Sequence, residues 1–264
     1  MTELRPPVAE PTMPPSMPKP ADDQTGRPAA GVPPAALPAA VKWGFTAFMT
    51  VLVPYYWATY GPTNFLYFCD VALFLTLWAV WSERALPASM AAVGIVLPQL
   101  FWQLDFLTTL AGSPLFGLTG YMFNPDLSLL ARGLSFFHFW LPILLVYLVA
   151  KLGYDRRALA VWTLLAWALV LIAATLLPGA GEAIDFPNQP RNVNYVDGFS
   201  ATEPQTWMPG WLWTASLMVA LPLLVYGPTH AALSKWRGLP RGASRLPVPS
   251  EPSAEQPIDS DRTS

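Results

Sequence analysis

Residues Gly61 to Leu75 read GPTNFLYFCDVALFL and set a cysteine and an aspartate, Cys69 and Asp70, side by side in an otherwise oily run. An ionised carboxylate is costly to bury, so an acid in such a run faces a protein interior or a wet cavity. Outward from this stretch the chain keeps the same character. Hydrophobic residues make up 53% of its 264 positions and charged residues 12%, about half the ~25% charged fraction of an ordinary soluble domain. That balance predicts an all-α, polytopic membrane bundle.

Apolar segments close to the ~20 residues that span a hydrocarbon core fall at Val41–Tyr60, Thr63–Trp81, Leu86–Leu110, Ser128–Ala150, Ala158–Leu177 and Gly210–Thr229. About six transmembrane helices are therefore expected. Pro54, Pro98 and Pro142 lie inside them, as membrane helices tolerate. Gly61-Pro62 marks a tight turn, and Asn124-Pro125-Asp126 is a helix-start signal. Tyr55, Tyr56, Trp57 and Tyr60 look like an interfacial aromatic belt. Residues 178–209 form the longest stretch without helical pattern.

The domain plan is a Pro/Ala-rich tail over 1–40, a helical domain over 41–230, and a basic then Pro/Ser-rich tail over 231–264, both tails being expected to be disordered. Prolines interrupt the N-terminal region before any unbroken apolar core forms, so it is expected to stay attached as a tail. With six spans, Lys42, Arg84, Lys151, Arg156, Arg157, Lys235, Arg237, Arg241 and Arg245 share one side, against Arg132 and Arg191 opposite. The positive-inside rule then puts both termini in the cytoplasm, and the cell (inner) membrane of a bacterium is the expected location.

Several function classes drop out. No basic face or stripe is present to neutralise phosphates, so no nucleic-acid partner is expected. A single cysteine excludes an intrachain disulfide and a Cys-based structural metal site, and two histidines are too few for a His-rich di-iron centre. No cofactor or metal is expected. Membrane lipids are the expected partners, and nothing in the sequence identifies a protein partner.

On this topology the buried polar residues gather in the outer half of the membrane. Counting ~1.5 Å per residue, Cys69 lies about 9 Å and His138 about 15 Å below the outer surface. A cysteine in an apolar helix is either a small core hydrophobe or a nucleophile, and as a nucleophile it needs a base within hydrogen-bond reach. His138 is the histidine at comparable depth, and Asp70 would orient it or hold it charged. Adjacent helical residues diverge by about 100°, so Cys69 and Asp70 need not face one site.

Gln99 and Gln103 lie one turn apart and serve either as interhelical glue or as cavity lining. Asp105 lies about 200° around the helix from Gln103, so the three cannot share one small cavity. Gln99, Gln103, Asp105, Asn194 and Tyr195 complete the candidate set as substrate-binding residues. His230 reads as a solvated histidine at a helix end.

Four segments together, Phe68-Cys69-Asp70-Val71-Ala72, LSFFHFWLPILLVYLVAKLGY (Leu134 to Tyr154), RNVNYVDG (Arg191 to Gly198) and Pro209-Gly210-Trp211-Leu212-Trp213, resemble the YwaF-like bacterial integral membrane family. Its eukaryotic relatives include transmembrane phospholipid acyltransferases that use a cysteine and a histidine. The resemblance implies that Cys69 accepts the acyl group, that His138 is its base, and that Asn194 and Tyr195 line the outer mouth. Phe137 and Phe139 depart from the small residues that flank the histidine in that family. The expected function is lipid acyl transfer through Cys69 and His138 in an outward-half cavity. The alternative is a non-enzymatic protein that binds a lipid or serves as a scaffold. A transporter is the third reading, weakened by the lack of a detectable inverted repeat.

Overall fold

The computed structural model of the chain describes residues 36–236. Most of the two expected tails, with Arg237, Arg241 and Arg245, lies outside the described residues. The described residues are helical: α1 (Ala39–Tyr60), α2 (Phe68–Ser82), α3 (Ala85–Leu110), α4 (Leu129–Ser135), α5 (Phe137–Leu152), α6 (Ala158–Leu176), α7 (Gly210–Ala220) and α8 (Gly227–Lys235). A π-helical segment, Leu221–Tyr226, joins α7 to α8 without a break.

Four helical stretches are long and apolar enough to cross a membrane: Ala85–Leu110, Leu129–Leu152, Ala158–Leu176 and Gly210–Lys235. Two of the six expected spans are not among them. α2 is apolar but has 15 residues, because Pro62–Leu66 winds as a 3-10 turn and Tyr67 is extended, so the α-helix starts five residues later than expected. α1 has 22 residues but carries Lys42, three threonines and five Trp or Tyr residues, which lower its hydropathy.

The other differences are local. The expected Ser128–Ala150 span is α4 and α5, broken at Phe136. Its N-cap is Ser128, whose hydroxyl accepts from the Ala131 amide, while Asn124 makes a separate turn by accepting from the Asp126 amide.

α3 is the central element and packs on α2, α5 and α6. From Pro87 to Ile95 every residue is buried, and most are small (Ala88, Ser89, Ala91, Ala92, Gly94), which lets neighbouring backbones and large side chains come close. Trp162 of α6, fully buried, lies across Gly94.

Polar contacts tie the elements together at the two ends of the bundle. At one end Lys42 of α1 pairs with Glu83 after α2. The Ser89 hydroxyl accepts from the Asp155 amide in the α5–α6 turn, and Tyr154 is hydrogen bonded to His230 Nδ1 at 2.7 Å. The Arg157 guanidinium beside Asp155 holds its carboxyl below the usual carboxylate range. His230 is thus half-buried and engaged with Tyr154 rather than merely solvated.

A methyl group added at Gly94 would overlap the Trp162 indole. Gly94→Ala is expected to cost about 1–3 kcal/mol, read as a lowered denaturation midpoint of the full chain in detergent. An unchanged midpoint would mean that α6 moves aside freely.

Candidate functional site

The opposite end of the bundle carries the loops 111–128 and 177–209, and these build the surroundings of Cys69. The start of α2 is held from a distance. Where Tyr67 interrupts the helix, Asn194 spans the gap: its side-chain oxygen accepts from the Phe68 amide at 3.0 Å and its side-chain nitrogen donates to the Leu66 carbonyl at 2.9 Å. Asn192 supports that loop by donating to the Gly198 and Ser200 carbonyls and accepting from the Asp197 amide. Asn192, Asn194 and Tyr195 all have positive φ, a conformation that asparagine tolerates better than most residues. Trp213 Nε1 fastens the start of α7 to the Tyr195 carbonyl at 2.8 Å.

This clamp presents Cys69 and Asp70 together. The Cys69 thiol donates to Asp70 Oδ2 at 3.5 Å, so the 100° divergence on the helix does not separate them. Asp70 is 3% exposed, and its other oxygen, Oδ1, is buried with no hydrogen-bond partner. Cys69 is half-buried. Four tyrosines stand around the pair. Tyr56, Tyr67, Tyr121 and Tyr195 all lie within electrostatic reach of Cys69, and Tyr56 and Tyr67 also of Asp70. Tyr56 is further hydrogen bonded to Ser135 at 3.2 Å. Tyr121 and Tyr195 are 39% and 43% exposed.

His138 has a different set of neighbours. Its Nδ1 lies 2.7 Å from the Ser135 carbonyl, which the break at Phe136 leaves free. A carbonyl only accepts, so Nδ1 carries the proton and Nε2 keeps its lone pair. The ring is stacked between Trp102 and Phe137, with centroids 4.8 and 4.0 Å away. No hydrogen bond joins His138 to Cys69 or Asp70 among the described residues.

Gln103 serves the backbone. Pro142 lacks the amide that would bond the His138 carbonyl one turn back, and Gln103 Nε2 donates there at 3.0 Å and to the Phe139 carbonyl at 3.2 Å. Gln99, on the same face, is 2% exposed, and neither atom of its amide has a partner. Measured from the α2–α3 turn, Asp70 lies about 18 Å and Gln99 about 21 Å along their helices, so the two are nearly level.

Asp105 points elsewhere, as its helical angle requires. It is fully buried and accepts from the Phe116, Gly117 and Thr119 amides and the Thr119 hydroxyl, at 2.6 to 3.0 Å. With four donors it closes the 111–119 loop and keeps no capacity for a ligand.

The chain matches no family model, no curated protein and no solved structure. Its site therefore has to be read from its own chemistry. The donors and acceptors group into a Cys69–Asp70 pair ringed by tyrosines, a separate His138–Gln103 unit at the Pro142 bend, and two structural residues, Asp105 and Asn194. Among the described residues no three His, Cys, Asp or Glu side chains come together as metal ligands.

Tyr56, Tyr67 and Tyr121 were not expected at the site. A signal for Tyr56 exists: Phe45, Met49, Leu52 and Tyr56, spaced four, three and four, are the buried stripe of α1, which sets Tyr56 apart from the half-buried or exposed Tyr55, Trp57 and Tyr60. Tyr67 and Tyr121 are positioned by nonlocal contacts that carry no sequence pattern.

Asn194→Ala removes two hydrogen bonds and leaves the Phe68 amide and Leu66 carbonyl unpaired. A loss of about 1–3 kcal/mol is expected, with faster amide hydrogen exchange at Phe68 and through 192–198. A variant that exchanges like the parent would mean that the loop docks without this clamp.

Proposed function

We propose that the chain is a multi-pass protein of the cell membrane, with both termini in the cytoplasm, that binds a lipid or small amphiphile beside Cys69 and Asp70. The observation that carries this reading is the buried Asp70 carboxyl with one oxygen lacking any partner, next to the free thiol of the half-buried Cys69. A buried polar atom left unpaired costs about 1–3 kcal/mol, and a site that binds something recovers that cost when the ligand arrives. Tyr121 and Tyr195, which carry exposed surface, belong to the end away from Lys42, Arg84, Lys151, Arg156 and Arg157. By the positive-inside rule that is the outer side.

Acyl transfer is the second reading, and one observation favours it: the Cys69 thiol donates a hydrogen bond to the Asp70 carboxyl group. Asp70 would then take the proton as sulfur attacks an ester carbonyl and return it to the ester oxygen as the C–O bond breaks, releasing an alcohol and leaving a thioester on Cys69. His138, engaged with Ser135 and Trp102, would act in that reaction only after a rearrangement. The resemblance to the YwaF-like family adds the expectation of a cysteine thioester and no further geometry.

Native mass spectrometry of the full chain extracted from its membrane tests both. The binding reading expects a retained amphiphile, recovered chemically unchanged and lost from Asp70→Leu. A hydroxylamine-sensitive acyl adduct on Cys69, absent from Cys69→Ser, would replace it with the transferase reading. A chain free of both would remove both.

A further inference from the structure

We infer that the group recognised at Asp70 is an organic ammonium. The inference rests on the binding reading above and adds the charge class of the ligand.

The chemistry of the surroundings selects this group. Asp70 has the Cys69 thiol as its one donor, on Oδ2, and Oδ1 has none. The lysines and arginines paired with acids among the described residues are Lys42 and Arg157, both at the other end of the bundle. No internal cation therefore neutralises Asp70. An anionic ligand would meet a buried carboxyl group and be repelled. A neutral alcohol could donate one hydrogen bond to Oδ1 but could not stabilise the ionised form of so buried an acid.

An ammonium satisfies both demands, because its N–H groups donate to Oδ1 and its charge offsets the carboxylate. The tyrosines fit the same ligand. Their hydroxyl oxygens can accept from N–H groups. A divalent metal is a poorer match, since one carboxylate and one thiol fall short of the ligand set that such an ion needs. Tyr121 and Tyr195, both more than a third exposed, lie at the loop end, the side from which an ammonium would approach.

The ammonium has two sources, a free amine in water or the head of an amphiphile, and the test separates them. Full-length protein in phosphatidylglycerol nanodiscs is titrated with dodecylammonium or with dodecanol, and binding is followed by the rise in thermal midpoint. Wild type is expected to bind dodecylammonium about tenfold or more tightly than dodecanol. That ratio should fall close to one in Asp70→Asn and persist in Asp185→Asn, which removes an exposed loop acid.

Competition by methylammonium would show that the charged group alone suffices. Persistence of the preference without such competition would show that the chain of the amphiphile is needed as well. If Asp70→Asn does not fold, Tyr121→Leu and Tyr195→Leu take its place, and both are expected to lower the ratio severalfold. Equal binding of the two probes by wild type, or a ratio unchanged in these variants, overturns the ammonium assignment and leaves amphiphile binding in place. No binding of either probe overturns both.

Discussion

Pairing of polar groups inside a bundle that excludes water is the constraint on which this structure depends. Each polar atom placed there needs an internal partner, and much of the architecture consists of supplying one. The Pro142 bend frees the His138 carbonyl, and Gln103 on α3 reaches across to it. The break at Phe136 frees the Ser135 carbonyl, and the His138 ring turns back to it. The gap at Tyr67 frees groups on either side, and Asn194 closes both from 126 residues or more away in sequence. In each case a helix irregularity is matched by a polar side chain from elsewhere in the chain. The irregularities and the polar residues are one system.

This explains why some of the fold was legible in the sequence and some was not. α3 and α6 were expected at Leu86–Leu110 and Ala158–Leu177 and occur at Ala85–Leu110 and Ala158–Leu176, because Arg84 and Arg157 precede them and Gly112 and Pro178 follow close after them. The 3-10 turn before α2 was not legible. Its stability depends on Asn194, and nothing near Thr63 announces that partner. The α4–α5 break was likewise hidden, since Phe136 and Phe137 are not helix breakers and the residue that stabilises the break, His138, had been read for its chemistry. The last span continues to Lys235 because a π-helical segment, Leu221–Tyr226, absorbs Pro222 and leads into Gly227 and Pro228 without stopping the helix.

At the site, residue type was legible and partnership was not. Cys69 and Asp70 stood out because they interrupt an oily run. Their mutual contact at 3.5 Å follows from side-chain rotamers that helical angles alone do not determine. Gln103 and Asp105 were expected to diverge and do so, each taken up by a different set of backbone groups. Asn194 was expected at the outer mouth by resemblance, and its observed hydrogen bonds make it the clamp that orients the first turn of α2.

The two buried aspartates make the final distinction. Asp105 and Asp70 are both almost inaccessible, and by residue type and burial they look alike. Asp105 accepts from four donors drawn from one short loop, so folding that loop and satisfying the acid are the same event. Asp70 accepts from one thiol and keeps an oxygen open. A fold able to surround one acid with four donors has the means to satisfy the other. An acid left with a single weak donor retains capacity for a donor from outside the chain. The contrast in donor number, more than burial or charge, separates the aspartate that builds the protein from the one available for its function.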